Sequence, residues 1–341
     1  MKQVTLGRTG IISPKNAFGA LPVQRVSDKQ AKLLLRRAYD VGFRFFDTAR
    51  GYTDSEEKIG RALSDVRHDI TIATKTMAGN VGEFWEQLET SLRNMKTDYI
   101  DIYQFHSPPV CPKPGDKIGL YDAALEAKRQ GKIRFIGFTN HRMNIAEEAV
   151  TSGLFDTLQF PFCYLASDAD INLVRLCDKH NVGFIAMKAL SGGLITKSDA
   201  AYAWLDQFDN VLPIWGIQRE SELDEFAGYF EHPPTMDERI TAIIEHDRQE
   251  LTGSFCRACG YCAPCPMDIQ IHMCARMSQL IRRAPSENLL SGFMRDAMLN
   301  IENCTGCGQC MTRCPYNLEI PELLKKNLVD YKEILAGNVS V

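Results

Sequence analysis

Residues 43–63 read FRFFDTARGYTDSEEKIGRAL: an apolar run ends at Asp47, a loop follows, and an amphipathic stretch begins near residue 55. The first run is rich in aromatic residues, which is typical of a β-strand, and the later stretch has helical spacing. These residues therefore predict one strand–helix unit, and the same pairing recurs on both sides of it.

Eight such units are predicted in the first two-thirds of the chain. Strand candidates cover residues 16–20, 43–48, 70–75, 99–105, 133–138, 156–160, 182–187 and 211–216. Helix candidates cover residues 27–42, 82–95, 120–131, 144–153, 170–181, 198–208 and 221–230, together with the stretch after Tyr52. Eight units in this length favour an α/β fold of the (β/α)8 TIM-barrel type. An open doubly wound sheet is the alternative, but the phosphate fingerprint G-x-G-x-x-G does not follow the first strand.

Two cysteine runs follow the predicted barrel, CRACGYCAPCP from Cys256 and CTGCGQCMTRCP from Cys304. The second matches the bacterial ferredoxin run, in which three closely spaced thiolates hold one [4Fe–4S] cluster and the fourth reaches another cluster. The first run is one residue shorter before its last cysteine. We therefore predict crossed ligation of two clusters. The first has the ligands Cys256, Cys259, Cys262 and Cys314, and the second has Cys304, Cys307, Cys310 and Cys265.

Two zinc sites are the alternative interpretation of these runs. Structural zinc favours paired C-x2-C hooks, which triplets at this spacing do not resemble. Spacing alone does not establish that both clusters are occupied, so a degenerate or empty site stays open. The other cysteines are scattered and are interpreted as small buried hydrophobic residues. They are Cys111, Cys163, Cys177 and Cys274.

The composition is that of a globular protein with a sizeable core. The chain has 341 residues, of which 45% are hydrophobic and 24% charged. A formal net charge of -4 without a basic stripe argues against nucleic-acid binding. The chain has no long apolar run that could span a membrane, and MKQVTLGRTG lacks the apolar segment of a secretory signal. We expect a cytoplasmic protein, because thiols stay reduced in that compartment.

Four polar residues lie at or just after the ends of predicted strands two, three and four. Asp47 ends strand two and Tyr52 follows it in the loop, Lys75 ends strand three, and His106 follows strand four. In a (β/α)8 barrel these strand ends converge on the catalytic mouth. Each residue alone would be read as structural or solvated, but the four together predict an active site.

The pieces FFDTARGYTDSEEKIGRAL, IATKT, YQFHS, GFTNH, LQFPF and WGI resemble the aldo-keto reductases. With its cysteine runs the chain resembles the branch that carries a C-terminal ferredoxin-type domain. The resemblance implies a catalytic tetrad of Asp47, Tyr52, Lys75 and His106. It implies carbonyl reduction by hydride transfer from NADH or NADPH, or the reverse alcohol oxidation, with Tyr52 as general acid or base. We expect Lys75, held by Asp47, to lower the pKa of Tyr52, and His106 to orient the carbonyl.

The resemblance also implies a nucleotide site. The matching positions are Gly19, Thr139, Asn140, Gln159, Met187, Lys188, Gly193, Gly216, Gln218, Arg219 and Glu225. Thr139, Asn140 and Gln159 match the positions that hold the nicotinamide carboxamide. Met187 departs from the family, since it stands where a stacking tyrosine is usual. Glu222 stands where members that prefer NADPH usually carry arginine, which favours NADH or dual use because a carboxylate repels a 2′-phosphate.

We predict a barrel over residues 1–235, a polar linker over 231–253, a small and mainly helical ferredoxin-like domain over 250–320, and a helical tail over 321–341. The predicted function is that of an NAD(P)H-dependent carbonyl reductase or alcohol dehydrogenase. Because a hydride carries two electrons and a cluster accepts one, an electron-transfer reductase driven by flavin or cluster electrons is an alternative, although no flavin motif is visible. A non-catalytic iron–sulfur binding protein is a third. The expected partners are a small carbonyl or alcohol substrate and a ferredoxin-like or other redox protein.

Overall fold

The chain divides into two compact units. The computed structural model describes residues 2–251, 256–282 and 289–339. The barrel unit comprises Met1–Ala189 and Asp199–Asp237, and the C-terminal unit comprises Leu190–Ser198 and Glu238–Val341. The short segment Leu190–Ser198 thus groups with the C-terminal unit, although it stands in the sequence between two barrel elements.

The barrel unit begins with an antiparallel hairpin, β1 (Gln3–Thr5) and β2 (Ile12–Pro14). Its residues Val4, Leu6 and Ile11 share one buried cluster with Ala17 and Phe45, the first residues of two barrel strands. The hairpin therefore closes the side of the barrel on which the strands begin. The sequence did not indicate it, because strands of three residues are too short to show an alternating pattern.

Eight parallel strands form a closed barrel, as predicted. They are β3 (Ala17–Gly19), β4 (Phe45–Asp47), β5 (Thr71–Thr76), β6 (Ile100–His106), β7 (Ile133–Thr139), β8 (Thr157–Pro161), β9 (Gly183–Met187) and β10 (Val211–Gly216). β10 pairs with β3 and closes the ring. Each predicted strand overlaps an observed one, and their ends differ by no more than two residues.

Eight helices follow the strands of the barrel. They are α1 (Asp28–Asp40), α2 (Ser55–Leu63), α3 (Val81–Met95), α4 (Leu120–Arg129), α5 (Met143–Thr151), α6 (Asp168–Lys179), α7 (Ser198–Leu205) and α8 (Glu220–Glu231). Several starts are set by local chemistry. Ser27 and Ser167 each form a capping box with the residue three positions on, and the Asn80 side chain accepts from the backbone N–H of Glu83. These bonds satisfy N–H groups that a helix leaves open at its first turn.

The strand register aligns polar side chains across the end of the barrel where the strands finish. Gly19 is opposite Asp47, Lys75 is opposite Gln104, and His106 is opposite Thr139. Thr139 is in turn opposite Gln159 on β8. The pairing of neighbouring strands thus assembles one polar row from residues that are far apart in the sequence.

The C-terminal unit is helical in the part that the structure describes. Its helices are α9 (Glu238–Leu251), α10 (Ile271–Cys274), α11 (Met277–Leu280), α12 (Gly292–Leu299), α13 (Gln309–Thr312) and α14 (Ile320–Leu335). Ile320, Leu324 and Tyr331 of the tail helix α14 join Ile271 and Met298 in one buried apolar cluster. The predicted tail is therefore packed within this unit. Among the described residues, no helix has both the length and the apolar character that a membrane crossing requires.

The polar linker expected over residues 231–253 is wrong for its second half. Residues Glu238–Leu251 form α9, a helix of 14 residues. Ile240, Ile244 and Leu251 are buried in it at helical spacing, so a narrow apolar stripe stabilises a segment that is otherwise polar. The last residues of the predicted linker, 252–253, lie outside the described residues.

Candidate active site and cysteine clusters

A buried ion pair lies at the mouth of the barrel. Nζ of Lys75 donates to both carboxylate oxygens of Asp47, at 2.7 and 2.8 Å, and to the backbone carbonyl of Thr48 at 2.6 Å. Asp47 is 2% exposed and Lys75 is 1% exposed. Burial raises the pKa of Asp47 and lowers the pKa of Lys75, while their mutual attraction opposes both changes.

Tyr52 and His106 lie beside this pair. Nζ of Lys75 is 5.2 Å from the centroid of the Tyr52 ring. The rings of Tyr52 and His106 pack edge to face, with their centroids 6.0 Å apart. The structure thus brings the four predicted residues together, from β4, the loop after it, β5 and β6.

The ionisation of Tyr52 differs from our expectation. Burial raises the pKa of Tyr52 above its ordinary value, and the negative charge of Asp47 raises it further. The expected lowering by Lys75 is therefore wrong in this structure. The Lys75 cation is bound to both oxygens of Asp47, so its attraction for a phenolate does not outweigh the effect of burial on Tyr52. The Tyr52 hydroxyl keeps its proton at neutral pH.

His106 is neutral for a related reason. Burial lowers the pKa of His106 to about 3, and the nearby charge of Lys75 contributes to the shift. Its Nδ1 atom is buried and has no hydrogen-bond partner among the described residues. Burying a bare ring nitrogen costs less than burying an unsatisfied N–H, so we assign the proton to Nε2. In this tautomer Nε2 can donate to a bound carbonyl oxygen.

Gln104 connects the tetrad to a predicted nucleotide contact. Its Nε2 donates to Oε1 of Gln159 at 2.9 Å and approaches Oδ1 of Asp47 at 3.5 Å. Nε2 of Gln159 lies 3.4 Å from Oδ2 of Asp47. Because the carboxylate accepts only, Gln159 turns its NH2 group toward Asp47 and its carbonyl oxygen toward Gln104.

The other two predicted carboxamide contacts are buried beside the same strands. The Thr139 hydroxyl accepts from the backbone N–H of Ser107 at 3.0 Å. The Asn140 side-chain oxygen accepts from the N–H groups of His141 and Arg142, both at 2.9 Å, and its Nδ2 donates to the carbonyl of Pro108 at 3.0 Å. The Asn140 amide therefore also fixes the loops around it.

The remaining predicted nucleotide positions lie at strand ends and the following turns. Met187 ends β9 and is half-buried, with Lys188 next to it in a left-handed conformation. Gly19 ends β3, and a Cβ there would lie 3.0 Å from the carbonyl oxygen of Trp215, so close strand contact requires glycine. Gly216 ends β10, and Glu225 is exposed on α8.

Glu222 occupies backbone donors at the start of α8. Its Oε2 accepts from the N–H of Gln218 at 2.8 Å and from the N–H of Arg219 at 3.1 Å. The Arg219 guanidinium pairs with the other oxygen at 3.6 Å. Phe226 is buried and stacks on Trp215, with ring centroids 4.6 Å apart, so it serves the barrel core. A carboxylate thus already binds the donors that a helix N-terminus offers to a phosphate.

The predicted phosphate loop around Gly193 groups with the C-terminal unit. Gly192 and Gly193 both have positive φ angles, of 63° and 94°. The carbonyl oxygens of Ser191 and Gly192 accept from Arg276, a residue that our sequence reasoning did not select.

No disulfide joins any of the twelve cysteines. Five of them line one cavity in the C-terminal unit: the predicted second set, Cys265, Cys304, Cys307 and Cys310, together with Cys262 of the first set. Cys304 and Cys307 are exposed. Thiols that converge on one small cavity are a donor set that fits an iron–sulfur cluster.

The predicted first set also contains neighbours. Beyond the effect of burial, negative charge at Cys259 and Cys314 raises the pKa of Cys256. Negative charge at Cys256 and Cys259 likewise raises the pKa of Cys262. Burial raises the pKa of Cys262 to about 12, so this thiol is protonated at neutral pH unless a bound cation favours the thiolate. The charge of Cys310 also raises the pKa of Cys262, so members of the two sets lie near each other.

Sequence reasoning missed Gln104, Glu56 and Arg276. Glu56 is 1% exposed, and its Oε1 accepts from the hydroxyls of Thr74 and Ser91, both at 2.7 Å. The signal for Gln104 was available, since it is an amide inside the otherwise apolar end of a strand. Glu56 stands in a polar stretch, where a buried charge cannot be told from a solvated one. Arg276 is a single charge among mostly apolar residues, and its sequence gives no sign of the distant carbonyls that it contacts.

Comparisons with known proteins agree with this division of the chain. Residues 15–202 match the family model of the aldo/keto reductase family, and residues 255–319 match that of a 4Fe-4S dicluster domain. The uncharacterized oxidoreductase YqkF of Bacillus subtilis is 27% identical over 211 residues, which are 58% of this chain and 67% of that protein. Methylglyoxal reductase DkgB of Salmonella typhi is 33% identical over 144 residues, which are 40% of this chain and 52% of that protein. The match thus spans about half the length of the Salmonella relative.

Solved structures show the same fold. The chain matches an aldo-keto reductase of Bacillus halodurans in its holo form with a TM-score of 0.64 and 20% identity, over 72% of this chain and 96% of that one. It also matches an aldo-keto reductase of Klebsiella pneumoniae in complex with NADPH, with a TM-score of 0.62 and 20% identity, over 72% of this chain and 94% of that one.

Proposed function

The chain belongs to the aldo-keto reductase family, and from this premise we propose that it interconverts carbonyls and alcohols with a nicotinamide nucleotide as hydride carrier. The observation that carries this proposal is the buried contact of Lys75 with Asp47, beside Tyr52 and His106. A buried ion pair is hard to explain as a stabilising feature, because the desolvation of both charges offsets their attraction. A catalytic role explains why it is kept at a strand end.

The proton chemistry follows from the ionisation states. Tyr52 keeps its proton at neutral pH, so it can act as the general acid that protonates the carbonyl oxygen during reduction. Lys75 stabilises the phenolate that forms when the proton leaves, and Asp47 holds Lys75 in place. Neutral His106 donates from Nε2 and orients the carbonyl oxygen.

The nucleotide would supply the hydride to the carbonyl carbon. Thr139, Asn140 and Gln159 would hold its carboxamide, and Gln159 retains one N–H for this purpose because its other groups face Asp47 and Gln104. Met187 would present an apolar thioether to the ring. The Klebsiella neighbour binds NADPH. Glu222 favours NADH in this chain, so both nucleotides belong in the first assays.

The substrate would be a small carbonyl compound. The Salmonella relative is named a methylglyoxal reductase, which makes methylglyoxal a suitable first probe. The reaction requires only a carbonyl oxygen within reach of Tyr52 and His106, and the loops after the strands would select the rest of the molecule.

We further propose that the C-terminal unit holds two [4Fe–4S] clusters. The first would have Cys256, Cys259, Cys262 and Cys314 as ligands, and the second Cys304, Cys307, Cys310 and Cys265. Support comes from the cavity that the second set lines together with Cys262, and from the electrostatic influence of the first-set thiols on one another. Exposure of Cys304 and Cys307 favours electron exchange with a redox protein at the second cluster. Such clusters suit a reducing cytoplasm.

The test uses full-length protein purified without oxygen. Iron and sulfide are counted, and methylglyoxal-dependent oxidation of NADPH and NADH is followed for wild type and Tyr52→Phe. We expect about eight irons per chain and a loss of turnover of at least about 10²-fold in Tyr52→Phe, with nucleotide affinity unchanged, since only the transferred proton is removed.

Tyr99→Phe is the matched control, because Tyr99 is outside the mouth and its ring stacks on His68. Equal turnover in Tyr52→Phe and wild type would refute the proposed acid. An iron count near zero in protein with normal reductase activity would refute the clusters alone.

A further inference from the structure

A buried arginine in the C-terminal unit has no carboxylate partner in the described part of the chain. Arg276 is 5% exposed. Its Nη2 donates to the backbone carbonyls of Ser191 at 2.9 Å and Gly192 at 3.0 Å. Its Nε is buried and makes no hydrogen bond to any described residue. The guanidinium is therefore fixed in position, but among the described residues its Nε–H has no acceptor and its charge has no carboxylate beside it.

An isolated buried cation is costly, so a counter-charge is expected nearby. Ala275 and Met277, on either side of Arg276, belong to the same buried cluster as Cys256 and Cys262. Consistent with this position, burial lowers the pKa of Arg276 and the negative charge of Cys256 opposes that change. Cys256 is itself buried and belongs to the first predicted set. A [4Fe–4S] cluster held by four thiolates carries net negative charge, which would provide the counter-charge that Arg276 lacks.

We propose that Arg276 is the counter-charge of the first cluster and raises that cluster's reduction potential. The inference rests on the proposed function only through the presence of that cluster. Adding one electron makes the cluster more negative, so a fixed cation stabilises the reduced form more than the oxidised form. Arg276 is thus a positioning residue that acts on the cluster through charge.

The two cysteine sets show why such a cation matters. Cys256 and Cys262 are buried, whereas Cys304 and Cys307 are exposed. Burial disfavours the extra negative charge of a reduced cluster, so the first cluster would be harder to reduce than the second without help. Arg276 would offset that difference. The electron would come from a one-electron donor of the reduced-ferredoxin class.

The carbonyls of Ser191 and Gly192 keep the guanidinium from turning away. Glycine suits position 192, because its φ of 63° disfavours other residues and a Cβ there would crowd Nη1 of Arg276 at 3.0 Å. Lysine at position 276 would keep the charge but lose the planar fork that reaches both carbonyls.

The experiment compares Arg276→Gln, Arg276→Lys and Arg282→Gln in full-length protein with its clusters. Each variant is titrated with dithionite in the absence of oxygen, and both reduction potentials are measured by electron paramagnetic resonance. Arg282 is the matched control, because it lies in the same unit but its charge is balanced by Asp330 at 2.6 Å. We expect Arg276→Gln to shift one cluster to a more negative potential, Arg276→Lys to shift it less, and Arg282→Gln to shift neither.

Iron content separates failure of this inference from failure of the proposed function. If wild type holds two clusters and Arg276→Gln leaves both potentials unchanged, the inference is overturned although the clusters stand. If wild type holds no iron, the proposed clusters are refuted as well. Should Arg276→Gln lose one cluster during purification, Arg276→Met supplies the uncharged comparison. A smaller shift in Arg276→Lys than in Arg276→Met upholds the role of charge, and an equal shift overturns it.

Discussion

Burial at the barrel mouth fixes the protonation state of His106. Its pKa is lowered to about 3 in the folded chain, whereas an ordinary histidine titrates near ~6.5. Between these values the unfolded chain binds a proton that the folded chain does not. Stability from this residue is therefore complete above about pH 6.5 and is lost as the pH falls toward 3.

This difference predicts how a substitution changes acid sensitivity. We expect wild type to lose about 1 kcal/mol more unfolding free energy than His106→Gln between about pH 7.5 and pH 5.5. Urea titrations followed by tryptophan fluorescence measure this, since Trp85, Trp204 and Trp215 all lie in the barrel unit. His232→Gln changes an exposed imidazole and serves as control. Equal losses in wild type and His106→Gln would contradict the predicted burial.

Gln104 determines how Gln159 faces the proposed nucleotide. Without the bond from Gln104, the Gln159 amide can turn and lose its preferred orientation. We expect Gln104→Leu to weaken nucleotide binding about fivefold, the effect of one hydrogen bond of ~1 kcal/mol. Calorimetric titration of NADPH and NADH measures it. Thr157→Val is the control, because Thr157 is buried on β8 and its hydroxyl has no partner among described residues. Unchanged nucleotide affinity in Gln104→Leu would show that Gln104 does not orient Gln159 for binding.

At the scale of single residues, the sequence predicted the four residues at the mouth but not the hydrogen bonds that support them. Asp47, Lys75 and His106 could be found because each stands at the end of a recognisable strand. The bond between Gln104 and Gln159 depends on two strands that do not neighbour each other in the barrel order, β6 and β8. The expected pKa of Tyr52 was wrong because the balance of its neighbours' charges depends on distances that spacing does not give.

At the scale of elements, the first turn of α8 controls which nucleotide fits. Glu222 places a carboxylate on the N–H groups of Gln218 and Arg219, where it would repel a 2′-phosphate. We expect Glu222→Gln to raise the ratio of NADPH to NADH efficiency about threefold, since removal of one partly exposed charge changes binding by ~0.3–1 kcal/mol. The glutamine can still accept these bonds, so the helix start is kept.

Glu220→Gln is the control for this change. Glu220 is in the same turn, but its side chain is 70% exposed and is near Arg37 at 3.5 Å. Steady-state kinetics with both nucleotides give the ratios. An equal rise of the NADPH-to-NADH ratio in both variants would assign the effect to overall charge. An unchanged ratio in Glu222→Gln would show that Glu222 does not influence the choice of nucleotide.

The elements that sequence predicted well are those with a complete pattern. The eight strands are apolar runs bounded by loops, and α1 follows the cap residue Ser27 that the sequence indicated. The hairpin β1–β2 and the helix α9 were missed for opposite reasons. The hairpin strands have only three residues each, and α9 buries so few apolar residues that its polar composition dominated.

At the scale of the whole molecule, the chain order predicted a barrel followed by a cysteine-rich unit. It did not predict that Leu190–Ser198, between β9 and α7, would group with the C-terminal unit. That grouping depends on contacts such as those of Arg276 with Ser191 and Gly192, which join residues 85 and 84 positions apart. No local pattern indicates a contact of that separation.

The proposed cofactors of the two units transfer different numbers of electrons in one step. This difference predicts how the clusters respond to each reductant. A nicotinamide delivers a hydride with two electrons, whereas each proposed cluster accepts one electron at a time. We therefore expect NADH or NADPH alone to leave the visible cluster absorbance of oxygen-free protein unchanged, and dithionite to bleach it. Tyr52→Phe should bleach in the same way, because its hydroxyl moves a proton in the carbonyl reaction only. Bleaching by a nicotinamide alone would contradict this separation and would require a converter between two-electron and one-electron steps, such as a flavin, which denaturation would release.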